Sequence, residues 1–172
     1  RVDGSNHPER FLRAGQLNAM ALIDEIFHYV CRLYRERMKS DFFAGARAHL
    51  DGAVGPEAVT RILSSFSERF PAKAVYAGKT GAKDWLAGKD ADGTPREFVA
   101  LEELMTVELA NQNPAFEPFL PMFDDSALRD DPAWDRFWDA FRAWASVNPP
   151  FGPEGRDLVS MLRAPVEFSP YD

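Results

Sequence analysis

Cysteine is almost absent from this sequence, since Cys31 is the single one among 172 residues. One thiol can neither form an internal disulfide nor build a cysteine-cluster zinc site. Such low cysteine usage is typical of a reducing compartment, and on this basis we expect a cytoplasmic protein.

Basic residues are also few compared with acidic residues, with 20 Lys or Arg against 27 Asp or Glu. The formal net charge is −7, and residues 87–172 contain 7 Lys or Arg against 17 Asp or Glu, whereas residues 1–86 contain 13 against 10. Because nucleic-acid binding depends on clustered basic side chains, we expect no nucleic-acid partner.

Long hydrophobic runs are also missing. No apolar stretch approaches the roughly 20 residues that a transmembrane helix needs, so we expect no membrane partner. Residues 1–15 are polar and charged and do not resemble a signal peptide. The sequence starts with Arg1 rather than Met, and we expect it to be part of a longer polypeptide.

The common motifs of nucleophilic catalysis are absent too. The sequence contains no G-x-S-x-G and no phosphate-binding P-loop. Cys31 falls among the apolar residues of a predicted helix, where a thiol is normally an inert part of the core. We therefore expect no catalytic residue and no bound cofactor.

What the sequence does contain is a large apolar and aromatic fraction. Hydrophobic residues make up 45% of the chain, with 14 Phe, 4 Tyr and 4 Trp among them. This content suits one packed core in one domain. We predict an N-terminal arm over residues 1–15, a single helical domain over 16–165, and a C-terminal tail or linker to a following domain over 166–172.

Helical patterns dominate this predicted domain. Asp41 and Asp131 are the expected N-caps of two helices, and Gly52 is the expected stop of the earlier one. Residues 74–78 suit a short strand. The predicted fold class is all-α, an irregular multi-helix domain with proline-rich connections and at most a minor two-stranded β element. The predicted helices span 16–39, 41–50, 56–70, 96–113, 131–147 and 155–164.

The first predicted helix holds the pattern most suggestive of a metal site. Glu25 and His28 form a Glu-x-x-His unit like that of di-iron bundles, and Asp24 lies four residues before the histidine. A di-iron site needs a second such unit, which this sequence lacks, and the charges of Arg32 and Arg35 oppose a bound cation. On a helical wheel these residues share one stripe about 120° wide. We therefore interpret Asp24, Glu25 and His28 as part of a polar stripe first, and as metal-ligand candidates second.

Two further patterns allow a binding or a structural interpretation. The aspartates at 124, 125, 130, 131, 135 and 139 suit a cation or a basic partner, but acidic runs more often cap helices and keep a surface soluble. Trp134 and Trp138 suit a sugar platform, but aromatic residues at this spacing more often form a core stripe. We favour the structural interpretation of both.

Four segments carry a family resemblance. They are RAGQLNAMALIDEIFHYVCRLYRERM (13–38), ERFPAKAVYAGK (68–79), REFVALEELMTVELANQNPAFEPFLPMFDDSAL (96–128) and PPFGPEGRDLVSMLRAP (149–165). In this order they resemble the N-terminal helical region of large bacterial proteins of the α-amylase superfamily of glycoside hydrolases.

The resemblance implies an accessory role. In that superfamily a catalytic (β/α)₈ barrel, with an Asp nucleophile, a Glu acid/base and a further Asp, follows later in the polypeptide. A barrel takes about 250 residues and eight strand–helix units, so this chain is too short and too poor in strands to be one. None of the family's catalytic residues maps onto a position here. The expected partner is the following catalytic domain of the same polypeptide.

Proline-rich connections present four phenylalanines as docking candidates: Phe116, Phe119, Phe123 and Phe151. Proline-stiffened loops lose little entropy on docking, so these side chains suit a contact with the following domain. They also suit closing the core over the loops, which is the more common role of such side chains.

Two rival functions remain open at the level of sequence. One is a stand-alone helical protein-binding module that uses the acidic C-terminal half of the chain. The other is a small metal-dependent enzyme that uses the carboxylates and the imidazole of the first helix.

Overall fold

A computed structural model describes residues 8–38, 42–69, 82–111 and 124–148. Within these residues the chain forms seven helices and no strand, which confirms the all-α prediction. The one β pairing in these ranges is an isolated antiparallel bridge between Lys89 and Pro95. The helices are α1 (Pro8–Met38), α2 (Phe42–Val54), α3 (Pro56–Arg69), α4 (Ala82–Leu86), α5 (Arg96–Asn111), α6 (Ser126–Arg129) and α7 (Trp134–Val147).

Helix α1 begins at Pro8, eight residues before the predicted start at Gln16. A proline is favourable at the first position of a helix, because the N–H that it lacks would have no partner there. Gly15 lies inside the helix and does not interrupt it. The segment predicted as an arm is therefore helical from Pro8 onward.

Helix α2 ends at Val54, and the prediction that Gly52 stops it is wrong. The stop is Gly55, which has a φ of 94° and so adopts the left-handed conformation that glycine tolerates best. The N–H of Gly55 donates to the carbonyl of Asp51 at 3.1 Å, and its carbonyl accepts the N–H of Val59 at 3.1 Å. One residue thus closes α2 and opens α3.

The start of α7 also lies later than predicted. The helix begins at Trp134, and Asp131 instead braces the turn before it. Oδ1 of Asp131 accepts the N–H of Ala133 at 2.9 Å. The backbone carbonyl of Asp131 accepts the N–H of Trp134 at 2.9 Å. Arg61 on α3 donates to both carboxylate oxygens of Asp131, at 2.6 and 2.9 Å, and so ties this turn to α3.

The core lies where α3 and α5 meet, with α1, α2, α4 and α7 around them. The helical spacing of α3 predicted its buried face correctly: Val59, Ile62, Leu63 and Phe66 are fully buried. Burying side chains of this size is the main source of stability in a small domain. These contacts hold α5 in place, and α5 supplies the carboxylates of the site described below.

Helix α7 packs its aromatic stripe against α2. Trp134, Phe137, Trp138 and Phe141 are all buried, so the core interpretation of this stripe is confirmed and the sugar-platform interpretation is wrong. The rings of Trp134 and Trp138 stack with their centroids 6.0 Å apart.

Several predictions fall outside the described residues. They are the docking phenylalanines Phe116, Phe119, Phe123 and Phe151, the strand at 74–78 and the helix at 155–164. Among the helices that are described, none combines the length and the apolar character needed to cross a bilayer.

Candidate functional site

The charged stripe of α1 faces α5 and meets a carboxylate there. Nδ1 of His28 lies 2.8 Å from Oε1 of Glu102, so the imidazole N–H donates to the carboxylate. Arg35, two turns further along α1, donates to the other oxygen of Glu102 at 3.2 Å. Glu102 therefore accepts two hydrogen bonds from one face of α1, and the contact joins two long helices.

The second nitrogen of the imidazole faces two more carboxylates. Nε2 of His28 lies 3.7 Å from Oδ2 of Asp24 and 3.8 Å from Oε2 of Glu103. These separations exceed a hydrogen bond, so both carboxylates act through their charge. Three carboxylates from two helices thus surround one imidazole.

This environment raises the pKa of His28 above its ordinary value of 6.5. Burial is the largest single influence and lowers the pKa, because it disfavours the charged imidazolium. The hydrogen bond to Glu102 and the charges of Glu103, Glu102 and Asp24 all raise the pKa, and together they outweigh burial. Protonated His28 therefore binds α1 to α5 as a charged donor.

The structure brings together two of the three predicted metal-ligand candidates. Asp24 approaches His28, whereas Glu25 is exposed and makes no recorded contact with the imidazole. One oxygen of Asp24, Oδ1, is buried without a hydrogen-bond partner. Across the described ranges, no group of three or more His, Cys, Asp or Glu side chains has the arrangement of a metal site. The guanidinium of Arg35 on Glu102 also opposes a cation there.

A polar cleft of about 590 Å³ opens over this cluster. Six carboxylates line it together with His28, Arg32 and Arg35. Even with His28 protonated, six carboxylates face three cationic groups, so the cleft is net negative. Its lining residues are Asp24, Glu25, His28, Arg32, Arg35, Asp90, Asp92, Thr94, Val99, Glu102 and Glu103.

A second polar cluster, centred on Arg47, ties α2, α3 and α5 together. Arg47 on α2 donates to Oδ1 of Asp51 at 2.8 Å, to Thr60 on α3 at 3.1 Å and to Glu97 on α5. The guanidinium is largely buried, and a fork of donors suits such a three-way contact. Local spacing could not reveal the contacts with Thr60 and Glu97, which lie 13 and 50 residues from Arg47.

The aspartate run between 124 and 139 is largely used within the fold. Asp125 accepts from Arg129 at 2.7 Å, and Asp124 accepts the N–H of Ser126 at 3.0 Å. Asp139 pairs with Arg142, three residues further along α7. The bond from Arg61 to Asp131 is the main cause that lowers the pKa of this aspartate. Four of the six aspartates, at 124, 125, 131 and 139, thus make contacts within the fold.

No protein-family model matches this sequence, and neither the curated proteins nor the solved structures give a significant match. The comparisons therefore assign no family and no fold relative. The case for a function depends on the chemistry of the site and on the resemblance of the four sequence segments.

Proposed function

We propose that this chain is a non-catalytic helical accessory domain of an α-amylase-like glycoside hydrolase. The non-catalytic part of this proposal is supported by the contacts that hold His28 within the fold. Its Nδ1 is engaged by Glu102 at 2.8 Å, and Glu102 is engaged in turn by Arg35 at 3.2 Å. The carboxylates of Glu102, Glu103 and Asp24 favour the protonated imidazole. In that form His28 stabilises the packing of two helices and cannot take a proton from a substrate.

The polar clusters support the same proposal. His28 joins α1 to α5, Arg47 joins α2 to α3 and α5, and Arg61 joins α3 to the turn before α7. Each cluster links elements that are far apart in the sequence. Such clusters fix the relative positions of helices, which is what a rigid accessory domain needs to present a surface to its neighbour.

The partner follows from the resemblance. We propose the following catalytic barrel of the same polypeptide, contacted through Phe116, Phe119, Phe123 and Phe151. An aromatic side chain on a short, proline-stiffened loop buries a large apolar area at a small entropic cost. That combination suits a domain–domain contact within one polypeptide.

A pair of variants tests this docking contact. Phe119→Ser and Phe151→Ser together should abolish binding of the chain to the separately produced barrel, measured by calorimetry, while the thermal melting of the chain itself changes little. Val147→Ser is the matched control, because this side chain is 70% exposed on α7 and carries no docking role. Loss of the melting transition in the double variant would show that the phenylalanines close the core, and would contradict the docking proposal.

A further inference from the structure

One face of α1 is apolar but uncovered. Leu22 is 62% exposed and Tyr29 is 57% exposed, and they are among the most exposed large apolar side chains in the described residues. Ile26 and Leu33 lie between and beyond them and are partly exposed. We refer to these four residues as the α1 ridge.

The spacing of the α1 ridge is that of a coiled-coil seam. Its members follow each other at intervals of four, three and four residues, which places them within about 60° on the helix. Phe27 and Cys31 are buried in the core and lie on the other side of α1. The ridge is therefore a second apolar face, separate from the one that holds α1 on the domain.

We infer that the α1 ridge packs against the same ridge of a second copy of this chain, with the two α1 helices antiparallel. The charged residues beside the α1 ridge indicate that its binding partner is a second copy of the chain. Glu25 and Arg32 both flank the ridge on one side, seven residues apart, and both are exposed. An antiparallel pair with its two-fold axis near His28 brings Glu25 of each copy beside Arg32 of the other, so two opposite-charge contacts form at once.

Other arrangements match these charges less well. A parallel pair would set each of these two residues level with its own counterpart, so Glu25 and Arg32 would not meet each other. The net charge of −7 disfavours approach of two copies through most of their surface, but α1 itself has five Arg against four Asp or Glu. The ridge thus lies on a nearly neutral part of an acidic molecule, where repulsion between copies is weak.

Charge reversal tests both the contact and its direction. The oligomeric state of the whole chain is measured by sedimentation equilibrium over a wide concentration range. Glu25→Arg and Arg32→Glu should each weaken the dimer by about tenfold or more, because each places like charges opposite one another twice. The double variant Glu25→Arg/Arg32→Glu should recover the original dimer constant, since the pairing is restored with its signs exchanged. Failure of the double variant to recover would overturn the antiparallel pairing.

A ridge variant supplies the second test. Tyr29→Glu should leave the protein monomeric, and Val147→Glu, which adds the same charge at an exposed apolar residue of α7, should leave the dimer intact. Circular dichroism checks that both variants keep their helices. A dimer that survives Tyr29→Glu would overturn the inference, because another surface would then hold it.

Hydroxyl-radical footprinting of the unmodified chain distinguishes the remaining outcomes. Protection of Tyr29 that appears only at dimer-forming concentrations supports the inference. Protection in a monomer would mean that another segment of the same chain covers the ridge, and an unprotected Tyr29 in a monomer would mean that nothing does. Either of these results overturns the inference, and neither bears on whether the chain serves a glycoside hydrolase.

Discussion

His28 shows how one side chain can suggest chemistry in the sequence and serve packing in the fold. Its local pattern, with Asp24 four residues before it, is that of a metal ligand. Its partner in the structure is Glu102, 74 residues away, and this contact could not be derived from local spacing. Helical periodicity could place the charged stripe on α1 and could place Glu102 within the predicted helix 96–113. It could not show that the two face each other, since that depends on how α5 packs.

The raised pKa of His28 predicts a specific dependence of stability on pH. Because the folded-state pKa lies above the unfolded value, the stabilisation is complete below about pH 6.5 and is lost as the pH rises through the folded pKa. Urea unfolding from about pH 6 to pH 8.5 should show this loss, and His28→Gln should flatten it. A wild-type curve that rises with pH in this window relative to the variant would contradict the assignment.

The variant Glu102→Gln tests the same interaction from the side of the carboxylate. It keeps a hydrogen-bond acceptor for His28 but removes a negative charge, so the pKa of His28 should move down toward its ordinary value. Titration of the imidazole resonance by NMR reads this shift directly. An unchanged pKa would show that Glu102 does not hold the imidazolium.

The hypothesis that His28 binds a metal predicts that added metal raises the melting temperature, which the packing role does not. If His28 serves packing, added Zn²⁺ or Mn²⁺ should not raise the melting temperature, because a ligand stabilises only the state that binds it. Differential scanning fluorimetry with and without metal checks this, with His28→Ala as the reference. A metal-dependent rise that disappears in His28→Ala would restore the metal-dependent enzyme as an explanation.

For individual helices, apolar periodicity predicted the buried faces correctly but predicted the ends of the helices less well. The buried face of α3 and the aromatic stripe of α7 follow directly from apolar spacing, because a helix places every third or fourth residue on one side. The ends depend on backbone conformation. Gly52 and Gly55 both suit a helix stop by composition, and the left-handed φ of Gly55 decides between them.

Alanine substitutions at these two glycines separate the predicted stop from the observed one. Gly52→Ala should stabilise the protein by about 0.5–1 kcal/mol, because the residue lies inside α2 and an added Cβ meets nothing within 4 Å. Gly55→Ala should destabilise it by about 1 kcal/mol, because its φ of 94° strains a residue with a Cβ. Urea unfolding of both variants reads the difference, and effects of reversed sign would contradict the position of the stop.

Gly45 on α2 lies directly against Trp144 of α7. A Cβ added at Gly45 would lie 2.6 Å from Cζ2 of Trp144, which is too short for a real contact. Gly45→Ala should therefore destabilise the protein by about 1–3 kcal/mol through overpacking, despite the better helix propensity of alanine. Near-ultraviolet circular dichroism should also change as Trp144 moves. A stabilised Gly45→Ala would mean that α7 packs elsewhere.

At the scale of the whole molecule, apolar residues assemble the core and a few charged side chains align the helices around it. His28, Arg47 and Arg61 each join elements that are distant in the sequence, and each is paired with carboxylates. The all-α class was predictable from composition and periodicity. The arrangement of the helices was not, because it depends on pairs of residues whose separation in the chain hides their contact.

We propose that this helical domain serves a glycoside hydrolase of the α-amylase type. The most direct measurement is to determine the coding sequence that follows the codon for Asp172 and to assay the product. We expect an open frame that continues into alternating strand–helix units with an Asp, a Glu and a further Asp, and glycosidase activity that resides in that later part. A stop codon directly after Asp172 would contradict the account and leave the chain to be tested as a binding module in its own right.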